Sequence, residues 1–108
     1  MIDSKQIIPF NPEEVYDIVS HIPIGKVITY GEIATLIGRP RNSRLVGHTL
    51  KNVDSKLGLP CHRVVNSNGG LVPNWEQQRE LLENEGVVLK LNGCVDMKTS
   101  RWNPLSNL

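Results

Sequence analysis

Thr29-Tyr30-Gly31-Glu32-Ile33-Ala34-Thr35-Leu36-Ile37-Gly38, then Arg39-Pro40-Arg41, then Asn42-Ser43-Arg44-Leu45-Val46-Gly47-His48-Thr49-Leu50-Lys51-Asn52, is the stretch whose reading decides the fold. Thr29 with Glu32 three residues later is a capping box, in which each side chain satisfies an orphan N–H at a helix start. Ile33, Ala34 and Ile37 then share one side of a short helix, which Gly38 stops. Arg39-Pro40-Arg41 is a loop. Asn42 or Ser43 caps a second helix running to about Asn52, with Leu45, Val46, Thr49 and Leu50 on its inner side. Two short helices joined by a tight Gly/Pro turn, the second rich in cations, describe a helix-turn-helix. Gly47 interrupts the second helix at a cost of about 1 kcal/mol relative to Ala. Something is therefore expected to approach that backbone closely, either a neighbouring helix or a DNA strand.

Upstream, Asn11-Pro12-Glu13-Glu14 reads as a helix start, with Asn11 as cap, Pro12 at the first helical position and Glu14 completing a box. Val15, Ile18, Val19 and Ile22 recur at helical spacing, and Pro23 with Gly25 ends the run. Residues 1–10 show no period and read as a loose arm. Downstream, Val64-Val65 predicts a short strand and Asn66–Gly70 a turn, after which Leu71-Val72 pairs back. Asn74-Trp75-Glu76-Gln77 opens another helix with a capping-box pattern. Leu81 and Leu82 face the core, and Gly86 closes the helix. Val87–Leu91, Asn92-Gly93 and Cys94–Met97 read as a hairpin, with Trp102 folding back over the core. The expected class is mainly α with a small β element: a winged-helix or helix-turn-helix single domain over residues 1–108, with its core at about 11–90.

The chemistry is concentrated in Leu59-Pro60-Cys61-His62-Arg63-Val64-Val65. Cys61 reads two ways: as a nucleophile with His62 as base and Arg63 as anchor, or as a small buried apolar residue. Cys61 and Cys94 are the only cysteines and form no CxxC pair, so neither a disulfide framework nor a zinc pattern is present. A reducing, cytoplasmic setting fits that usage. No long apolar run suggests a membrane span. The net charge is only +1, yet Arg39, Arg41, Arg44, Lys51, Lys56 and Arg63 face Asp54 alone between residues 39 and 63. This cationic middle is either a polyanion footprint or a solvated surface. His48 could meet phosphate or be an ordinary surface residue. His21 suits a helix C-terminus, and Cys94 reads as inert.

Four segments together resemble the C-terminal domain of the O6-alkylguanine-DNA alkyltransferases: Ile22–Ala34, Ser43-Arg44-Leu45-Val46-Gly47, Leu59–Val65 and Leu81-Leu82-Glu83-Asn84-Glu85-Gly86. The resemblance spans about Val15 to Val88. It implies a monomeric repair protein that binds double-stranded DNA through the minor groove and flips an O6-alkylguanine out of the stack. By that resemblance Cys61 accepts the alkyl group once, His62 acts as base and Glu85 orients the imidazole. Arg63 braces the loop, Tyr30 meets the rotated phosphate, and Arg44 enters the duplex where the base has left. Gly47 admits the DNA backbone and Asn52 supports the reactive turn. The carbonyls of Cys61 and Val64 read the guanine edge. Neither metal nor organic cofactor is implied.

Two departures point to a different branch. The chain has no room for the additional N-terminal domain of the full repair proteins. The glycine-rich, tyrosine-bearing segment that walls their alkyl pocket is here the shorter Gly69-Gly70-Leu71-Val72-Pro73-Asn74-Trp75. The stretch Leu71–Gln78, together with Val95-Asp96 and Arg101-Trp102-Asn103, is similar to the alkyltransferase-like proteins, in which another residue replaces the cysteine and which bind the lesion without transfer and hand it to nucleotide excision repair; here Cys61 is present. Trp75 is then either pocket wall or core. Three functions follow: an alkyl acceptor using Cys61, a lesion-recognition protein with an idle cysteine, or a winged-helix transcription factor with an incidental one.

Overall fold

A computed structural model describes residues 9–105; the loose arm expected at residues 1–10 lies outside them up to residue 8, and its described end departs from that expectation, because Phe10 packs against the core. Helix α1 (Pro12–Ser20) starts at Asn11, whose side chain accepts from the Glu13 N–H at 3.0 Å. That bond replaces the reciprocal box expected with Glu14. Val15, Val19 and Ile22 are buried, as the spacing predicts. Strand β1 (Ile28–Thr29) leads directly into α2 (Tyr30–Leu36), where the capping box is complete. Thr29 Oγ1 accepts from the Glu32 N–H at 3.0 Å, and Glu32 Oε1 accepts from the Thr29 N–H at 3.1 Å. Helix α3 (Ser43–Lys51) follows Asn42, whose side chain makes no cap bond. Its buried residues are Val46, Thr49 and Leu50. Leu45, expected inside, is 37 % exposed, because the helix turns only a narrow stripe towards α1 and α2.

Strand β2 (Val64–Val65) does not pair back on Leu71-Val72. It runs parallel to β1, with Ile28 opposite Val64 and Thr29 opposite Val65. Parallel pairing requires a long crossover, and α2 and α3 supply it. No ladder forms at Leu71-Val72 because the Val72 N–H donates to Gln78 Oε1 at 2.7 Å and Pro73 has no N–H. The strand alternation serves two cores. Ile28 and Val64 join Val15, Val19, Ile22, Ile33, Val46 and Leu50 between the three helices. Val27 and Val65 join Leu82, Val87 and Val95 beneath them.

Helix α4 (Gln77–Asn84) begins later than the sequence suggests and has no side-chain cap. Asn74 adopts φ +64°, a left-handed conformation that asparagine tolerates better than most residues, and this delays the helix. Leu82 is fully buried but Leu81 is 39 % exposed. The hairpin forms as a single antiparallel bridge between Leu89 and Val95. Met97, expected in its second strand, starts helix α5 (Met97–Ser100) instead. The chain then returns to β1: Val27 N–H donates to Ser100 O at 2.8 Å, Trp102 N–H donates to Val27 O at 2.7 Å, and Trp102 packs on the upper core. Among the described residues no helix is long and apolar enough to cross a membrane.

Candidate active site and nucleic-acid interface

Pro60 ends the loop after α3, and Cys61, His62 and Arg63 form a single 3₁₀ turn before β2. This tight turn places three consecutive side chains in different directions. Cys61 and His62 line a cavity of about 900 Å³, together with Tyr30 and Gly47 from the helix-turn-helix and Trp75 and Leu81 from the following segment. Trp75 is thus wall rather than core. A second cavity, about 420 Å³, lies between the start of α2 and the 101–105 segment and includes none of Cys61, His62 or Glu85.

Glu85, at the end of α4, joins the other two residues of the turn. His62 Nε2 lies 2.8 Å from Glu85 Oε2. Arg63 donates from Nε to Glu85 Oε1 at 2.9 Å and from Nη2 to Oε2 at 2.7 Å, a bidentate pair. Arg63 Nη1 also donates to Ile22 O at 2.8 Å, tying the turn to the end of the α1 segment. These Arg63 bonds, with a lesser contribution from His62, hold the Glu85 carboxyl down at about 2. An ionised carboxylate only accepts, so His62 Nε2 carries the proton and a neutral imidazole keeps Nδ1 free to accept.

Burial pushes the Cys61 thiol above its ordinary range, outweighing the opposing pull of a backbone hydrogen bond. The Tyr30 hydroxyl is also raised, first by burial and second by the charge that Cys61 would carry. The resting site therefore presents a protonated thiol and a protonated phenol, and forming a thiolate requires a base.

The helix α3 face beside the cavity is cationic. Arg44 and Lys51 on α3, and Arg41 in the loop before it, are exposed and engage no carboxylate among the described residues. Arg63 does not contribute to this face, because its charge is spent on Glu85. A Cβ at Gly47 would stand 3.7 Å from the Tyr30 ring, an ordinary van der Waals contact. No neighbouring helix therefore demands glycine there.

Two expected residues are placed elsewhere. Asn52 turns back on its own helix, donating from Nδ2 to His48 O at 2.9 Å, and so does not reach the reactive turn. The same carbonyl accepts from the Asn52 backbone N–H at 3.2 Å, so side chain and main chain of Asn52 close the helix end together. Val64 is fully buried, and its carbonyl accepts from Gln78 Nε2 at 3.1 Å, so it lies beneath the cavity rather than on its wall. Gln78 itself escaped sequence reasoning. The available signal was a polar residue four before Leu82, on the inward stripe of α4. Cys94 is half-buried and forms no disulfide. His21 caps α1, with Nδ1 2.7 Å from Asp17 O. Among the described residues no group of three His, Cys, Asp or Glu side chains could hold a metal ion.

Residues 11–87 match the family model of the 6-O-methylguanine DNA methyltransferase DNA binding domain. The chain is 43% identical over 95 residues to the DNA base-flipping protein of Escherichia coli, covering 85% of this chain and 74% of that one. It is 43% identical over 100 residues to alkyltransferase-like protein 1 of Schizosaccharomyces pombe, covering 84% and 93%. The crystal structure of that yeast protein with damaged DNA containing O6-carboxymethylguanine superposes with a TM-score of 0.76 at 36% identity, over 86% of this chain and 94% of that one. A methylated-DNA–protein-cysteine methyltransferase of Methanocaldococcus jannaschii is 39% identical over 87 residues, covering 79% of this chain but only 51% of the methyltransferase.

Proposed function

The chain belongs to the 6-O-methylguanine DNA methyltransferase DNA-binding-domain family, and from that premise we propose that it binds duplex DNA containing O6-alkylguanine, receives the flipped base in the cavity and transfers the alkyl group to Cys61. The observation that carries this reading is the position of Cys61 and the Glu85-anchored His62 on one cavity wall, with Tyr30 and Gly47 of the helix-turn-helix on another. A base leaving the stack beside α3 enters next to the sulfur. Residues 11–87 act as one DNA-binding and reactive unit, monomeric on a minor-groove site. Arg44, exposed on α3, fills the gap left by the base, which offsets part of an unstacking cost of about a few kcal/mol. The Tyr30 hydroxyl, held protonated, donates to phosphate.

In the transfer, His62 Nδ1 takes the thiol proton through a water. The resulting thiolate attacks the alkyl carbon, an S–C bond forms, and the C–O bond breaks with its electron pair left on guanine O6. Glu85 stabilises the imidazolium. A proton returns to the departing guanine, and Cys61 stays alkylated, so each molecule acts once.

A second reading is favoured by the Cys61 thiol itself, which burial keeps protonated, and by the names of the bacterial and yeast relatives. In it the protein recognises the lesion without transfer and passes it to nucleotide excision repair in the cytoplasm. Intact mass after incubation with an O6-methylguanine duplex separates the two. Transfer predicts a gain of one CH₂ that maps to Cys61 and is lost in Cys61→Ala. Tight, lesion-selective binding with no gain establishes the recognition reading. Binding indifferent to the lesion defeats both.

A further inference from the structure

Gln78 is a buried side chain whose hydrogen bonds reach both the reactive turn and the cavity wall. It is 0 % exposed, and all its polar capacity is directed at main-chain groups. Nε2 donates to His62 O at 3.0 Å and to Val64 O at 3.1 Å, the carbonyls on either side of Arg63. Oε1 accepts from the Val72 N–H at 2.7 Å, and the Gln78 backbone N–H donates to Trp75 O at 3.1 Å. One residue thus holds both ends of Val72-Pro73-Asn74-Trp75, and all four line the cavity with Cys61 and His62.

That segment has little else to hold it. Pro73 offers no N–H, and Asn74 sits at φ +64°. An apolar residue would fill the same buried space without the desolvation of an amide, so packing does not account for glutamine here. A fully satisfied buried amide instead specifies a unique arrangement of the groups it joins.

We propose that Gln78 is the positioning residue that locks the cavity wall to the reactive turn and thereby sets the preference of the cavity for O6-alkylguanine over guanine. The inference rests on the lesion-binding reading above. Gln78 touches no base. It acts through His62 and Val64 on one side and through Val72 and Trp75 on the other. Contacts of the α3 cations with phosphate do not depend on it.

The test compares wild type, Gln78→Met and Gln78→Glu in three measurements: hydrogen exchange at the Val72 amide, affinity for an O6-methylguanine duplex, and affinity for the same duplex with guanine. Methionine keeps the shape and removes every side-chain bond, whereas glutamate keeps the acceptor for Val72. In Gln78→Met, Val72 protection and the lesion-to-guanine affinity ratio should each fall about tenfold, the scale of a lost buried hydrogen bond. Plain-duplex affinity should stay within about twofold, because phosphate contacts carry it. Gln78→Glu should restore most of the Val72 protection.

An unchanged affinity ratio in folded Gln78→Met overturns the proposal, as does Val72 exchange in Gln78→Glu as fast as in Gln78→Met. Should Gln78→Met fail to fold, Gln78→Glu decides: a reduced ratio with Val72 still protected supports positioning through the turn, and an unchanged ratio overturns it. If wild type itself prefers neither duplex, the lesion-binding reading falls and takes the role of Gln78 with it. That result is distinct from a wild-type preference that survives substitution.

Discussion

The three-helix half and the half that follows the reactive turn hold their shapes by different means. In the first, α1 and α2 start at caps drawn from their own sequence, and an apolar stripe recurs at helical spacing. In the second, α4 has no cap and the connecting segments depend on distant partners: Gln78 for the wall, Glu85 for the turn, and Val95 for the bend at Gly69. The first half is a locally encoded DNA-binding frame. The second is a cavity assembled by long-range polar bonds. The family's DNA-binding geometry can therefore persist while the cavity wall is rebuilt, as the shortened segment around Trp75 illustrates.

The sharpest way to break this contrast is at Gly69, which stands at φ +84° where a Cβ would come within 2.6 Å of Val95 O. Gly69→Ala should cost about 4 kcal/mol, combining a backbone clash with left-handed strain. Gly38 also has positive φ but opens on empty space, so Gly38→Ala should cost only about 1 kcal/mol. Urea unfolding of the two variants checks the difference. Equal losses would mean that the second half does not depend on that long-range contact.

A smaller loss is expected at the ion network. Glu85→Gln should destabilise by about 2 kcal/mol near neutral pH, since it replaces charge-assisted bonds with neutral ones. The Glu85 carboxyl sits at about 2 against an ordinary 4.5. With the folded value the lower one, its contribution is complete above the ordinary value and is lost as pH falls towards 2. The stability gap between wild type and Glu85→Gln should therefore narrow as pH drops from about 4.5 to about 2. A gap independent of pH over that window would remove Glu85 ionisation from the account.

The smallest effect has the opposite sign. Gly47→Ala meets only an ordinary contact with Tyr30 and should stabilise the free protein by about 0.5–1 kcal/mol through helix propensity. It should nevertheless weaken DNA binding, because the added methyl stands where the duplex backbone is expected. Thermal unfolding and duplex affinity measured on the same variant would show the two moving apart. Unchanged affinity would remove Gly47 from the interface.

Local chemistry made most of the frame legible. Thr29 and Glu32, Asn11 and Pro12, and Val15 with Val19 and Ile22 act within a turn or two of themselves, so reading them needs no knowledge of the rest of the chain. The candidate site was half legible. Cys61, His62 and Arg63 stand together in sequence, and the motif around Glu85 identifies a family. The pairing of β2 with β1 was not visible, because nothing local in a two-residue strand names its partner. Asn52 was misplaced because helix-end carbonyls compete for its amide. Gln78 was overlooked because a buried amide has meaning only through the separated backbone groups that meet it.

The sequence by itself determined the helix-turn-helix and the order of the candidate reactive residues, since caps, periodicity and residue types are local properties of the chain. Only the tertiary structure decided which wall Trp75 joins, which atoms Glu85 and Gln78 hold, and that burial pushes the Cys61 thiol up. Burial and long-range hydrogen bonds set those outcomes, and both exist only once distant segments have packed.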